Sequence, residues 1–288
     1  MSRLAGRGNP GLLPNLPKLQ DLPWFTLVIL LGGVLALYGI LSAPKYREAF
    51  EFLIAGLQLT ITLALSCFAL AVVLGLIAGL GRVSKNRFVN TVASLYVGVV
   101  RGVPMLVLIL YVAYVAVPIG LSFMNVIGQL LLQLRVGWAP LGQFASQLAE
   151  LNIRDVDVIV RGVAALAFSY GAFEAEVYRA GIESIPKGQM EAARSLGMTY
   201  PQTMIHIILP QALRVVLPPM ANDFIAMVKD TSLLSVLGVH ELTQLGKLYR
   251  ATTFQTYEIW NTVAFLYLVL TILLQFLARF IETKMGKS

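Results

Sequence analysis

Charge is scarce in this chain. Asp, Glu, Lys and Arg make up only 13% of its 288 residues, against about 25% in ordinary soluble domains. That shortage excludes a well-solvated globular body. Cysteine is nearly absent: Cys67 stands alone in an apolar run, so no disulfide framework forms within the chain. It reads as a small core residue. Histidine is confined to His206 and His240. His240-Glu241 has no second histidine three residues on, which excludes a zinc-protease helix. The phosphate-cradling pattern G-x4-G-K-[ST] is missing, because the terminal Gly286-Lys287-Ser288 lacks a glycine five positions before Gly286. The serines and Cys67 make no nucleophile–base pair at a recognisable spacing. No internal repeat, no soluble catalytic domain and no ten-residue alternating segments of a membrane barrel are visible.

What is present is hydrophobic length. Apolar residues reach 57% and the mean hydropathy is +0.76. Several apolar runs approach about twenty residues, enough to cross a hydrocarbon core of roughly 30 Å as helix. The composition points to an all-α polytopic membrane protein, with lipid as its main solvent. The net charge of +7 gathers in short loops, as it does where cytoplasmic loops are enriched in Lys and Arg. No basic stripe interleaved with aromatics stands outside the apolar runs, so nucleic acid is not an expected partner.

Hydropathy divides the chain into six expected spans. Residues 1–23, rich in Gly and Pro, form an expected cytoplasmic tail. Residues 24–42 form an additional first span; a cleaved signal peptide is the rival, disfavoured by the length of the apolar run and of its lead-in. A short amphipathic lead-in over 44–55 precedes a second span, 55–80, which holds Gly75-x3-Gly79, here read as generic helix packing. Residues 81–87, GRVSKNR, are a compact basic loop. A third span covers 91–117, with a kink expected at Pro104. Residues 118–157 are too polar or too short to cross and are expected at the outer surface. A fourth span runs over 158–180, a fifth over 211–228 and a sixth over 258–280. Residues 231–238 suggest a re-entrant or gate-like turn, and 283–288 a short cytoplasmic tail. Six crossings place both termini on the side of the basic loop.

Between the fourth and fifth spans lies a stretch that is not itself apolar, IESIPKGQMEAARSLGMTYPQTMIHIILPQ, residues 182–211. Glu191, Ala192 and Ala193 favour helix, and the alanines permit close approach to a partner. Gly197 suits a left-handed helix cap. Thr199-Tyr200-Pro201 suits the start of a second short helix, with Pro201 in its first turn. Pro210 is expected to break the chain before the next span. The pattern describes a helix–turn–helix lever.

The spacing EAA-x3-G-x9-I-x-L-P, from Glu191, Ala192, Ala193 and Gly197 to Ile207, Leu209 and Pro210, closely resembles the cytoplasmic coupling loop of permease subunits of ATP-binding-cassette (ABC) importers. The resemblance covers roughly residues 52–282. Leu59-Thr60-Ile61-Thr62-Leu63, Arg101-Gly102-Val103-Pro104, Ser169-Tyr170-Gly171-Ala172-Phe173, Glu176-Val177-Tyr178-Arg179-Ala180-Gly181-Ile182, Ile185-Pro186-Lys187-Gly188-Gln189, Asn222-Asp223-Phe224-Ile225 and Lys229-Asp230-Thr231-Ser232-Leu233 resemble the polar amino acid permeases. The resemblance implies a five-helix type I importer core that works in pairs. It also implies docking of residues 182–210 on a dimer of ATP-hydrolysing subunits, and solute delivered by an extracytoplasmic binding protein. ATP and Mg would then sit on the partner, with no cofactor in this chain. The extra first helix and the long segment at 118–157 depart from the family pattern.

Ionisable side chains inside a span are costly and are therefore site candidates. Asp223 and Asp230, seven residues apart, fall on one helix face about 10 Å apart by rise. Together they suit the ammonium of an amino acid; the bland readings pair Asp230 with Lys229 or Thr231, and Asp223 with Arg214 or Arg101. Glu174 and Glu176 are a second pair pointing to different faces, with Glu176 favoured to pair structurally with Arg179. Arg101 suits either a substrate carboxylate or a buried acid. Two other function classes compete with the ABC permease: an ion-coupled secondary transporter of small polar solutes, which needs no lever, and a membrane-embedded enzyme, which needs clustered His, Cys or acids.

Overall fold

A computed structural model describes residues 24–134 and 139–285. The expected tail at 1–23 lies outside the described residues, as do the last three positions of the chain. Every regular element among the described residues is helical. Five helical stretches there are long and apolar enough to cross a membrane: Pro44–Arg82, Met105–Gln133, Val158–Glu183, Tyr200–Leu237 and Thr256–Ile281.

Helix α1, Trp24–Ser42, covers the residues where the first span was expected. It exposes Val28, Leu31, Val34, Leu35 and Tyr38, an apolar surface without charge. Helix α2, Pro44–Arg82, is 39 residues long, about 58 Å by rise. The lead-in expected at 44–55 is continuous with the second span, as the first three turns of the same helix. Pro44 stands in its first turn, where a missing N–H costs nothing.

The third span differs from expectation. Helix α3, Arg87–Gly102, starts at Asn86, whose side chain accepts from Phe88 N at 2.9 Å. It is amphipathic, burying Ala93, Val97 and Val100 and exposing Phe88, Val92, Leu95 and Val99. The chain turns extended at Val103, and Pro104 then caps helix α4, Met105–Tyr111. The crossing stretch is Met105–Gln133, which continues through a π-helical turn, Val112–Ala116, into helix α5, Val117–Gln133. So the Arg101–Pro104 stretch separates two helices instead of kinking one. Residues 118–133, expected at the outer surface, prolong the apolar crossing helix. Helix α6, Ala139–Ala149, folds back on α5, with Gly128 against the backbone of Ala145 and Ala149.

Helix α7, Val158–Glu183, is the centre of the bundle: 56% of its most apolar window is buried, against 11% for that of the last helix. It packs along α2 and also touches α3, α4 and α10. Helices α8, Lys187–Ser195, and α9, Tyr200–Thr203, form the expected hairpin. Helix α10, Leu209–Asp230, ends in a 3₁₀ turn, Thr231–Leu237, which drops Leu234 and Leu237 into the main apolar core beside Leu63, Ile109, Leu166 and Met227. That turn is where the gate-like segment was expected. Helices α11, Leu242–Thr253, and α12, Thr256–Met285, close the bundle.

The α2–α7 seam depends on small residues. A Cβ placed on Gly75 would collide with the Glu174 Cβ, and one on Gly79 would stand 2.8 Å from the Tyr178 Cβ. These helices are in backbone contact, as the small-xxx-small pattern permits.

Candidate functional site

The hairpin is built from local rules. Helix α8 ends in a paired cap: Met198 N donates to Ala193 O at 3.1 Å and Gly197 N to Arg194 O at 3.0 Å. Gly197 carries φ +84, a conformation that glycine adopts without steric cost. Helix α9 begins with a reciprocal capping box, Thr199 with Gln202. Glu191 and Ala192 face solvent, whereas Ala193 is buried. Ile207 and Leu209 pack at the base of the hairpin against Ile182, Ile208 and Ala212. At the tip, Leu196 is 85% exposed. The sequence reading passed over this residue; an apolar side chain between a helix end and a capping glycine is the signal that would have found it.

Pro210 does not break the chain. Residues Met204–Ile208 form a π-helical turn that carries α9 straight into α10. A proline ring collides with the carbonyl four residues back in an α-helix. The wider turn ahead of Pro210 moves His206 off that register, so helix persists from Tyr200 to Asp230. The second helix of the lever and the fifth span form one continuous helical stretch, with Pro218 and Pro219 inside it.

That rod carries Asp223 and Asp230. Asp230 accepts a hydrogen bond from Tyr170 Oη at 2.8 Å, across the α7–α10 interface. It does not cap the following turn, since Thr231 Oγ1 donates to Val228 O. Asp223 is half-buried and ion-pairs with neither Arg214 nor Arg101, although the charge of Arg101 reaches it. Glu174 is wholly buried, and neither carboxylate oxygen has a hydrogen-bond partner. Tyr170, one turn before Glu174 on α7, completes a group of one hydroxyl and three carboxyls.

Glu176 belongs to a different cluster. It pairs with Arg179 as expected, and also with Arg82 from α2 and, at 3.8 Å, with Arg101 from α3. Arg101 in turn stacks on Phe173, 5.5 Å from its ring centre, and Arg179 also holds Glu183. Three helices are tied by one carboxylate. Glu176→Gln leaves those cations without their main partner and is expected to cost about 1–2 kcal/mol, between an exposed pair and a buried one. Glu183→Gln, on the exposed rim, is expected to cost under about 1 kcal/mol. Thermal unfolding of the two variants in detergent checks the difference; equal melting points would remove the tie.

Elsewhere, buried acid is fully satisfied. Glu241 caps α11, accepting from Thr243 N, Gln244 N and Tyr267 Oη, each at 2.8 Å. Burial raises its carboxyl above the ordinary range, and those donors pull the other way. Among the described residues no group of three His, Cys, Asp or Glu could hold a metal ion.

The relatives place this architecture. The family described as "Binding-protein-dependent transport system inner membrane component" matches residues 71–287. The glutamine transport system permease protein GlnP of Escherichia coli is 33% identical over 82% of this chain and 94% of its own length. The L-cystine transport system permease protein TcyB of Bacillus subtilis is 32% identical over 84% of this chain and 89% of its own. The histidine/lysine/arginine/ornithine permease protein HisQ of Salmonella typhimurium is 32% identical over 76% of this chain and 86% of its own. Among solved structures, an amino acid ABC transporter crystallised with histidines superposes with a TM-score of 0.64 at 32% identity, covering 85% of this chain and 98% of that one. The MetNI methionine transporter shares the fold, with a TM-score of 0.59 at 21% identity. A membrane-embedded enzyme and an ion-coupled carrier both give way to this match: the chain belongs to the inner-membrane permease components of binding-protein-dependent transport systems.

Proposed function

We propose that this chain forms the translocation path of an ATP-driven importer of polar amino acids in a bacterial inner membrane. One observation carries the reading. The second helix of the exposed hairpin, from Tyr200 onward, and the acids at 223 and 230 lie on one continuous helical stretch. A push at the hairpin is therefore delivered to the span that faces the solute. Relatives named for glutamine, cystine and basic amino acids support the substrate class.

The partners follow from chemistry this chain lacks. Two ATP-binding subunits supply hydrolysis, with ATP and Mg bound on them. A second permease chain completes the path, and an extracytoplasmic binding protein loads it. The basic loop at 81–87 and the hairpin lie on the cytosolic side, and a crossing by α1 puts both termini there. Transport requires that solute affinity differ between the two access states; Asp223 and Asp230 are the groups whose surroundings change as the rod moves.

The test uses the permease purified with its cognate ATPase and binding protein in proteoliposomes. Uptake should require ATP and survive collapse of ion gradients. Asp223→Asn and Asp230→Asn are each expected to slow uptake about tenfold or more, the loss of a charge-assisted contact, while the complex still assembles. Wild-type uptake kinetics in both variants would take these residues out of the path.

A further inference from the structure

The acid at position 174 has no evident structural use. Fully buried carboxylates in this fold are otherwise satisfied, as Glu241 shows with its three donors. Glu174 is 0% exposed, with both oxygens unpartnered. It sits where three helices meet: Gly75 of α2 lies against its Cβ, Tyr170 and Tyr178 flank it one turn away on α7, and Asp223 of α10 is near enough to feel its charge. Leaving a carboxylate unpaired in an apolar interior is expensive. The arginines nearby do not relieve it, because Arg82, Arg101 and Arg179 are all turned to Glu176, and Lys229 faces outward.

We infer that Glu174 receives a positive charge carried by the solute, so that the path is built for amino acids with a cationic side chain. The inference rests on the proposed path through Asp223. A zwitterionic amino acid needs one acid for its ammonium and one base for its carboxylate. Asp223 supplies the acid, and Arg101, part-exposed and held by Glu176 only at 3.8 Å, supplies the base. Asp230, one oxygen of which accepts from Tyr170, belongs with Asp223 to the ammonium site. Glu174 is therefore surplus for a neutral side chain and required for a guanidinium or an ε-ammonium.

The experiment measures equilibrium binding of tritiated arginine and tritiated glutamine. It uses the permease–ATPase complex in nanodiscs, without the binding protein, so that selectivity belongs to the permease. Arginine should bind the wild type about tenfold or more tightly than glutamine, and Glu174→Gln should abolish that advantage while changing glutamine affinity by less than about twofold. Glu174→Leu, similar in volume and without a polar group, carries the same expectation should the amide disturb assembly. Equal affinities in the wild type, or undiminished arginine binding in both variants, overturn the inference. Asp223→Asn separates the two levels. If it weakens both amino acids while the Glu174 variants weaken neither, only the cationic preference fails. If it too binds like the wild type, the path itself is misplaced.

Discussion

Gly75→Leu removes folded chain from the membrane: that is the largest single-residue effect the structure leads us to expect. A Cβ at this position falls on the Glu174 Cβ and stands 3.1 Å from Ala175 N. The obstacle is the backbone of the central helix, which cannot swing aside as a flexible side chain can. Overpacking commonly costs about 1–3 kcal/mol, and forcing two long helices apart along a shared seam exceeds that range. Against a total stability of about 5–15 kcal/mol the loss is decisive. Gly79→Leu acts one turn further on, against Tyr178 Cβ and Ala175 O. Gly98→Leu is the control, since its added side chain meets nothing within 4 Å. Size-exclusion profiles of fluorescent fusions should show the monodisperse fraction falling about tenfold or more for Gly75 and Gly79 and holding for Gly98, in keeping with those stability limits. A normal profile for Gly75→Leu would mean that the two helices do not touch in this way.

The second large effect belongs to the hairpin tip. Leu196 is 85% exposed, and seating such a side chain in a partner gains about 1.5–3 kcal/mol. Leu196→Asp is thus expected to weaken docking of the ATPase by about ten- to a hundredfold. Gly197→Val acts on the same joint by another route. Nothing surrounds Gly197 within 4 Å, so space is not the issue. Its φ of +84 is the issue, since a β-branched residue is forced out of that region. The cap loosens and the end of α8 loses its direction. Glu191→Arg alters the exposed face of the same helix by charge alone. In all three variants, ATP hydrolysis should cease to respond to loaded binding protein, while the permease still inserts and purifies. Intact stimulation in all three would separate the hairpin from the motor.

Much of this architecture could be read from residue order, and the exceptions have physical reasons. Apolar runs located α1, α7, α10 and α12 to within a few residues, because hydrocarbon thickness sets span length whatever the fold. The hairpin was legible because its caps are local: Gly197, Thr199 and Gln202 act on backbone groups a few residues away. The third span was misplaced because hydropathy alone cannot separate an amphipathic helix lying against the bundle from one crossing it. Tyr96 Oη donates to Phe168 O at 2.6 Å and helps hold α3 against α7, and a link across that separation leaves no periodic trace. Pro210 misled in the same way, since a π turn is a tertiary accommodation and not a propensity. At the site, the Glu176–Arg179 pair followed from helix spacing, whereas Arg82 and Arg101 joined it from other helices. Tyr170 and Asp230, 60 residues apart, could be paired only in three dimensions.

The π turn at Met204–Ile208 has a consequence for timing between the two ends of the rod. It holds one surplus residue relative to α-helix, and a single residue corresponds to about 100° of rotation and 1.5 Å of advance. The azimuth of Asp223 and Asp230, viewed from the hairpin, is therefore set by that one inserted residue. Were the extra residue to migrate along the helix, as a dislocation moves through a lattice, the acids would turn while the hairpin stayed seated. A clutch of this kind would let the two ends of one shaft fall out of phase without either being released.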